Sequence, residues 1–108
     1  MDVINEYLKR TRKVHNCSDG TVIEDNHPRL FCKDGFSVSV QASEFHYCYP
    51  RINGANKYET VELGYPNAED LLIADYAEDD TDLTDTIYGF VPVHIVNELI
   101  KKHGGIVT

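Results

Sequence analysis

The chain has 108 residues, of which 42% are apolar and 26% charged, and its formal net charge is −8. That length suits one domain over residues 1–108 with one modest core, and the composition excludes wholesale disorder. No apolar run approaches the roughly 20 residues of a membrane span, and Met1-Asp2-Val3-Ile4-Asn5-Glu6 lacks a basic stretch leading into an apolar one, so the expected location is the cytoplasm.

Residues 2–13 predict a helix. Asp2 can cap it, and Ile4, Tyr7, Leu8 and Thr11 recur at spacings of three and four. Lys9, Arg10, Arg12 and Lys13 crowd its C-terminal end, where the helix dipole favours cations. Residues 15–28 are rich in turn formers, with one short strand expected at Thr21-Val22-Ile23. Arg29 to Cys32 reads as a strand, Lys33-Asp34-Gly35 as a tight turn, and Phe36 to Ser43 as a second strand. In that strand Phe36, Val38, Val40 and Ala42 alternate with Ser37, Ser39, Gln41 and Ser43, the pattern of a sheet with one wet side.

Glu44 to Asn56 is expected as a loop and Tyr58 to Leu63 as a strand. Ala68 to Ala77 reads as a short helix or an extended edge, Glu78 to Asp85 as an acidic loop, and Thr86 to Val91 as a strand. Pro92 suits the first position of a closing helix, Ile95, Val96, Leu99 and Ile100 form its buried face, and Gly104-Gly105 ends it. The order implies an α+β fold: a small antiparallel sheet of about four to five strands with the N-terminal and C-terminal helices on one face.

Catalytic and cofactor chemistries find little support. There is no Gly-x-Ser-x-Gly elbow, phosphate loop or dinucleotide fingerprint. His46 and Cys48 could be a base and a thiol, but no third group to orient them is evident. The odd count of three cysteines argues for reduced thiols. A zinc site would need His15, Cys17, Cys32, His46 and Cys48 to converge, since their spacings match no zinc motif. The run from Asp79 to Asp85 fails the calcium-loop pattern, lacking both the sixth-position glycine and the twelfth-position glutamate. No catalytic residue, metal or cofactor is therefore expected.

Charge distribution is more telling. Residues 1–57 balance eight Lys/Arg against seven Asp/Glu, whereas Tyr58 to Ile100 holds eleven acids and no Lys or Arg. Asp and Glu are seldom buried unpaired, so this half is expected to present an unneutralised acidic surface. Such a surface repels nucleic acid and is drawn to basic clefts. The alternative is that the acids only keep a small domain in solution.

Several stretches carry a resemblance: Ile4-Asn5-Glu6-Tyr7-Leu8, Cys32 to Ser43, Tyr47-Cys48-Tyr49-Pro50-Arg51, Tyr58 to Pro66, Tyr88 to Val93 and Lys102-His103-Gly104-Gly105. Together they resemble a group of small phage and prophage proteins of Firmicutes, whose motifs imply no particular reaction or fold. The likeness departs at about residues 18–31, where this chain carries extra sequence. The setting implies a non-enzymatic protein acting in the cytoplasm of an infected bacterial host. It would be an inhibitor of a host defence system, of the anti-CRISPR type, that mimics DNA. Glu69, Asp70, Asp75, Asp79, Asp80, Asp82 and Asp85 would stand for phosphates, with Tyr76 and Tyr88 as neighbouring contacts. The partner would be a host protein with a basic nucleic-acid-binding groove, such as a CRISPR nuclease. The protein would be a monomer or homodimer and bind neither nucleic acid nor membrane. The alternatives are a phage assembly module that self-associates through a sheet edge or the Phe45–Arg51 loop, and a small Cys/His metal protein.

Overall fold

The computed structural model describes residues 2–107, and all statements below concern these. Helix α1 spans Val3–Thr11. A two-stranded hairpin follows, β1 (Val14–Asn16) and β2 (Val22–Glu24). Then come β3 (Leu30–Phe31), β4 (Ser37–Gln41), β5 (Thr60–Gly64) and β6 (Ile87–Pro92), an antiparallel meander in the order β3-β4-β5-β6. Helix α2, Val93–Lys102, closes the fold. The expected α+β class and the two terminal helices are both present. No helix is long and apolar enough to cross a membrane.

The core forms where the apolar sides of α1, α2 and the sheet meet. Ile4 and Leu8 of α1, Val38 and Val40 of β4, Val61 and Leu63 of β5, and Val96 and Leu99 of α2 are all buried. Each such aliphatic side chain contributes about 1.5–3 kcal/mol on burial. Asp2 caps α1 as its spacing predicts, its carboxylate accepting from the Asn5 N–H at 3.3 Å. Asn5 then docks the helix on the sheet. Its amide donates to the Tyr58 carbonyl (3.0 Å) and accepts from the Tyr58 N–H (2.8 Å). Pro92 is the cap of α2 rather than its first residue, and the Val93 N–H donates to the Glu59 carbonyl at 3.0 Å.

Two expectations need correction. The polar side of β4 is not wet: Ser37, Gln41 and Ser43 are buried. Chain preceding β3 folds back over it, so that Gln41 bonds both the N–H and the carbonyl of His27 (2.7 and 2.8 Å), and Arg29 donates to the Ser37 hydroxyl (2.9 Å). Period-two alternation reports which side chains are polar; it does not report what covers them. The second correction is residues 68–77, where only a 3₁₀ turn, Ala74–Tyr76, forms. Leu72, Ile73 and Tyr76 do pack against the core while Leu71 is 91% exposed, but the chain leaves the helical path at Ala77, which turns extended and bridges to Tyr88 of β6.

The segment 18–31 has a structural role. It delivers Glu24 and His27 into a closed polar cluster, their side chains only 1% and 2% exposed. Glu24 accepts from the Gly54 N–H (2.9 Å) and lies 3.4 Å from both Arg12 Nε and His27 Nε2. The Arg12 contact is an ionic approach, since Nε makes no hydrogen bond, while its guanidinium donates to the Ala55 carbonyl at 2.8 Å. The far nitrogen of His27 meets the Thr11 hydroxyl at 2.8 Å. Burial pulls the His27 pKa below its ordinary 6.5 against the opposing charge of Glu24, so the ring is neutral at pH 7.

Replacing Asn5 with Ala should lower stability by about 2–4 kcal/mol, because the buried N–H and carbonyl of Tyr58 both lose their partner. Urea denaturation checks this; the midpoint should fall with no change in slope.

Candidate functional site

The acidic loop sits between the 3₁₀ turn and β6. Its base is closed by the Glu78 N–H donating to the Ile87 carbonyl (2.9 Å) and the Asp79 N–H to the Thr86 hydroxyl (3.0 Å). Two side-chain turns shape its rim. Asp79 accepts from the hydroxyl and N–H of Thr81 (2.7 and 3.0 Å), and Asp82 from the hydroxyl and N–H of Thr84 (2.8 and 3.0 Å). These bonds hold both carboxyls below their ordinary 3.8. Both remain ionised through the physiological range, and the bonded oxygen is the same one each time.

Glu69, Asp75, Glu78, Asp79, Asp80, Asp82 and Asp85 are all exposed. None of them makes an ion pair among the described residues. The basic end of α1 does not neutralise them: Arg12 turns inward to Glu24 and Arg10 lies over the Tyr7 ring at 5.6 Å. Tyr76, half-buried, packs against the core.

Two expected contact residues are withdrawn from this surface. Tyr88 is fully buried in β6, and its hydroxyl donates to the Leu83 carbonyl, pinning the loop from beneath. Asp70 has a side chain only 2% exposed and is already neutralised. Its carboxylate lies 3.1 Å from Lys102 Nζ and 2.9 Å from His103 Nε2, and it accepts from the Leu72 N–H at 3.0 Å. A base-free stretch of sequence conceals this, because Lys102 and His103 lie more than thirty residues away.

His103 itself is a site that sequence reading missed. Its Nδ1 meets Asp34 at 2.6 Å, its Nε2 meets Asp70, and its ring stacks on Phe36 with centroids 4.0 Å apart. Burial draws its pKa down, but the hydrogen bonds and charges of Asp34 and Asp70 outweigh that, and the net shift is upward from 6.5. When protonated, the ring donates from both nitrogens and has no lone pair for general-base work. It is a clamp that ties the end of α2 to the β3–β4 turn and to the root of the acidic loop. The only sequence cue was its place after Lys101-Lys102 at a helix end.

The thiol and metal candidates do not assemble. Cys17 is exposed on the β1–β2 hairpin, whereas Cys32 and Cys48 are buried. Cys48 donates to the Ser43 carbonyl at 3.2 Å and His46 bonds the Ser43 hydroxyl at 2.6 Å, so they do not face each other as base and nucleophile. Burial pushes the Cys48 thiol upward from 9.0. No group of three His, Cys, Asp or Glu among the described residues is placed to hold a metal ion. Comparison with known protein families, with curated proteins and with solved structures found no match.

Removing Asp70 tests the clamp. Asp70→Ala should cost about 1–3 kcal/mol, below the 3–5 typical of a fully buried pair because Lys102 is half exposed. The pH dependence has a definite sign. A raised folded pKa means His103 contributes fully below 6.5, and the contribution is lost as pH rises through the raised value. The stability gap between wild type and His103→Asn should therefore close over that window, measured by thermal melts at a series of pH values.

Proposed function

We propose that the protein is a non-catalytic binding module that seats its acidic loop in the cationic, nucleic-acid-binding groove of another protein. The phage and prophage resemblance points to a host defence nuclease of the CRISPR type as that partner, with this chain as its inhibitor. The observation that carries the reading is the loop itself: seven exposed carboxylates within residues 69–85, with no base in that stretch, none of the seven in an ion pair among the described residues. Unpaired charge of one sign steers association with the opposite sign and is screened by salt. The working surface is Glu69, Asp75, Glu78, Asp79, Asp80, Asp82 and Asp85, with Tyr76 at its margin. Asp70 and Tyr88 support it from below.

The test is displacement of labelled duplex DNA from a purified CRISPR nuclease. The protein should compete, and less well as salt rises. Asp75, Asp80, Asp82 and Asp85 changed together to Asn should weaken competition several-fold or more, since four of the seven exposed charges are lost. The amide oxygen that Asp82→Asn introduces can still accept from Thr84, so the melting temperature should hold. Undiminished competition by this variant sinks the charge-mimic mechanism.

A further inference from the structure

A second surface lies away from the acidic loop, and it is aromatic. Phe45, Tyr47, Tyr49 and Ile52, all on the β4–β5 loop, are exposed, Phe45 by 71%. Phe90 of β6 joins them, its ring 5.9 Å from that of Tyr47 and its N–H donating to the Tyr47 carbonyl at 3.0 Å. The Arg51 guanidinium lies over the Tyr47 ring at 5.2 Å. Together these side chains expose roughly 500 Å² of mostly apolar area, at the upper end for the largest patch on a monomer and more than half of what one partner contributes to a standard interface.

Phe90 is held there against its own backbone preference. The β5–β6 register slips between Val61 and Leu63, a bulge that sets Gly89 and Phe90 opposite Glu62. At that bulge Phe90 adopts φ +53°, a left-handed conformation that favours glycine, while its ring is 49% exposed. A half-exposed ring recovers little burial energy to offset that strain. Backbone strain of this kind gathers where a side chain is being presented. Gly89, next to it, lies close under Tyr47: a Cβ there would meet Tyr47 Cβ at 3.3 Å, a tight contact to which Tyr47 would have to yield by a few tenths of an ångström.

We propose that this patch is where two copies of the chain meet, in an isologous two-fold contact centred on Phe90 and Tyr47. The patch carries both signs of charge. Arg51 makes no ion pair among the described residues, its Nε donates to the Glu44 carbonyl at 3.1 Å, and Glu62 accepts from the Tyr47 N–H at 3.2 Å. Under a two-fold axis the same surface faces itself, so the Arg51 cation and the Glu44 and Glu62 carboxylates of one copy are offered to those of the other, and one surface supplies both halves of the complementarity. The net charge of −8 on each copy opposes association, and salt screens that repulsion. Dimerisation therefore strengthens as salt rises, the reverse of what is expected for the acidic loop in a cationic groove.

Sedimentation velocity of the purified protein alone, from low to high micromolar and at low and high salt, tests this without any partner. A monomer–dimer equilibrium that tightens with salt is expected. Phe90→Asp should weaken it by about tenfold or more, the loss of one buried anchor. Phe90→Gly should weaken it comparably while holding or raising the melting temperature, because glycine accepts the φ; this variant separates lost contact from lost fold. A strictly monomeric wild type assigns the patch to a different protein and overturns the proposal. So does a dimer that salt weakens, or one that both Phe90 variants leave intact. None of these results bears on displacement of DNA by the acidic loop.

Discussion

A carboxylate taken out of water must be matched, and this chain takes two of its acidic side chains almost fully out of water. Glu24 and Asp70 have side chains 1% and 2% exposed. Leaving either uncompensated would cost several kcal/mol, a large share of a small domain's total stability. Each is met by a histidine, a cation and a backbone N–H: His27, Arg12 and Gly54 for Glu24; His103, Lys102 and Leu72 for Asp70. Arg12 and Gly54, and Lys102 and His103, come from distant parts of the chain, so satisfying the two charges also docks the elements that supply them.

The docking positions both surfaces described above. Around Glu24, the end of α1, strand β2 and the Gly54–Ala55 corner are drawn together, fixing one side of the long β4–β5 loop that displays Phe45, Tyr47 and Tyr49. Around Asp70, α2 and the β3–β4 turn are tied to the root of the segment that runs into the acidic loop. The two histidines act oppositely. Burial dominates at His27 and favours its neutral form, while the flanking carboxylates together outweigh burial at His103 and favour its charged form. Arg12 and Lys102 are committed to interior acids, and the exposed carboxylates of residues 75–85 are left without an ion-pair partner among the described residues.

Much of this was legible in the residues. The amphipathic spacing of α1 and α2, the Asp2 cap, the turn at Asp34-Gly35 and the alternation in β4 and β5 each depend on neighbours within a few positions, where propensity and period carry the signal. The acidic loop was legible for the same reason, as a local run of one charge sign. Pairings over long separations were not. Asp70 is indistinguishable in sequence from Asp75, yet one is buried under Lys102 and His103 and the other faces water. Tyr88 and Phe90 sit two apart in one strand, and the alternation rule puts them on the same face; the bulge at Gly89-Phe90 is what separates them, sending one hydroxyl beneath the acidic loop and holding the other ring outward.

The sequence by itself thus determined the class of fold, the placement of both helices and the sign of the C-terminal surface, because these follow from local spacing and composition. Tertiary structure alone decided which acids remain free, what covers the polar side of β4 and where the exposed aromatics gather. Those outcomes depend on contacts that local spacing does not reveal, such as His27 with Gln41, Asp70 with His103 and Tyr47 with Phe90, and on which buried charge each cation is drawn to neutralise.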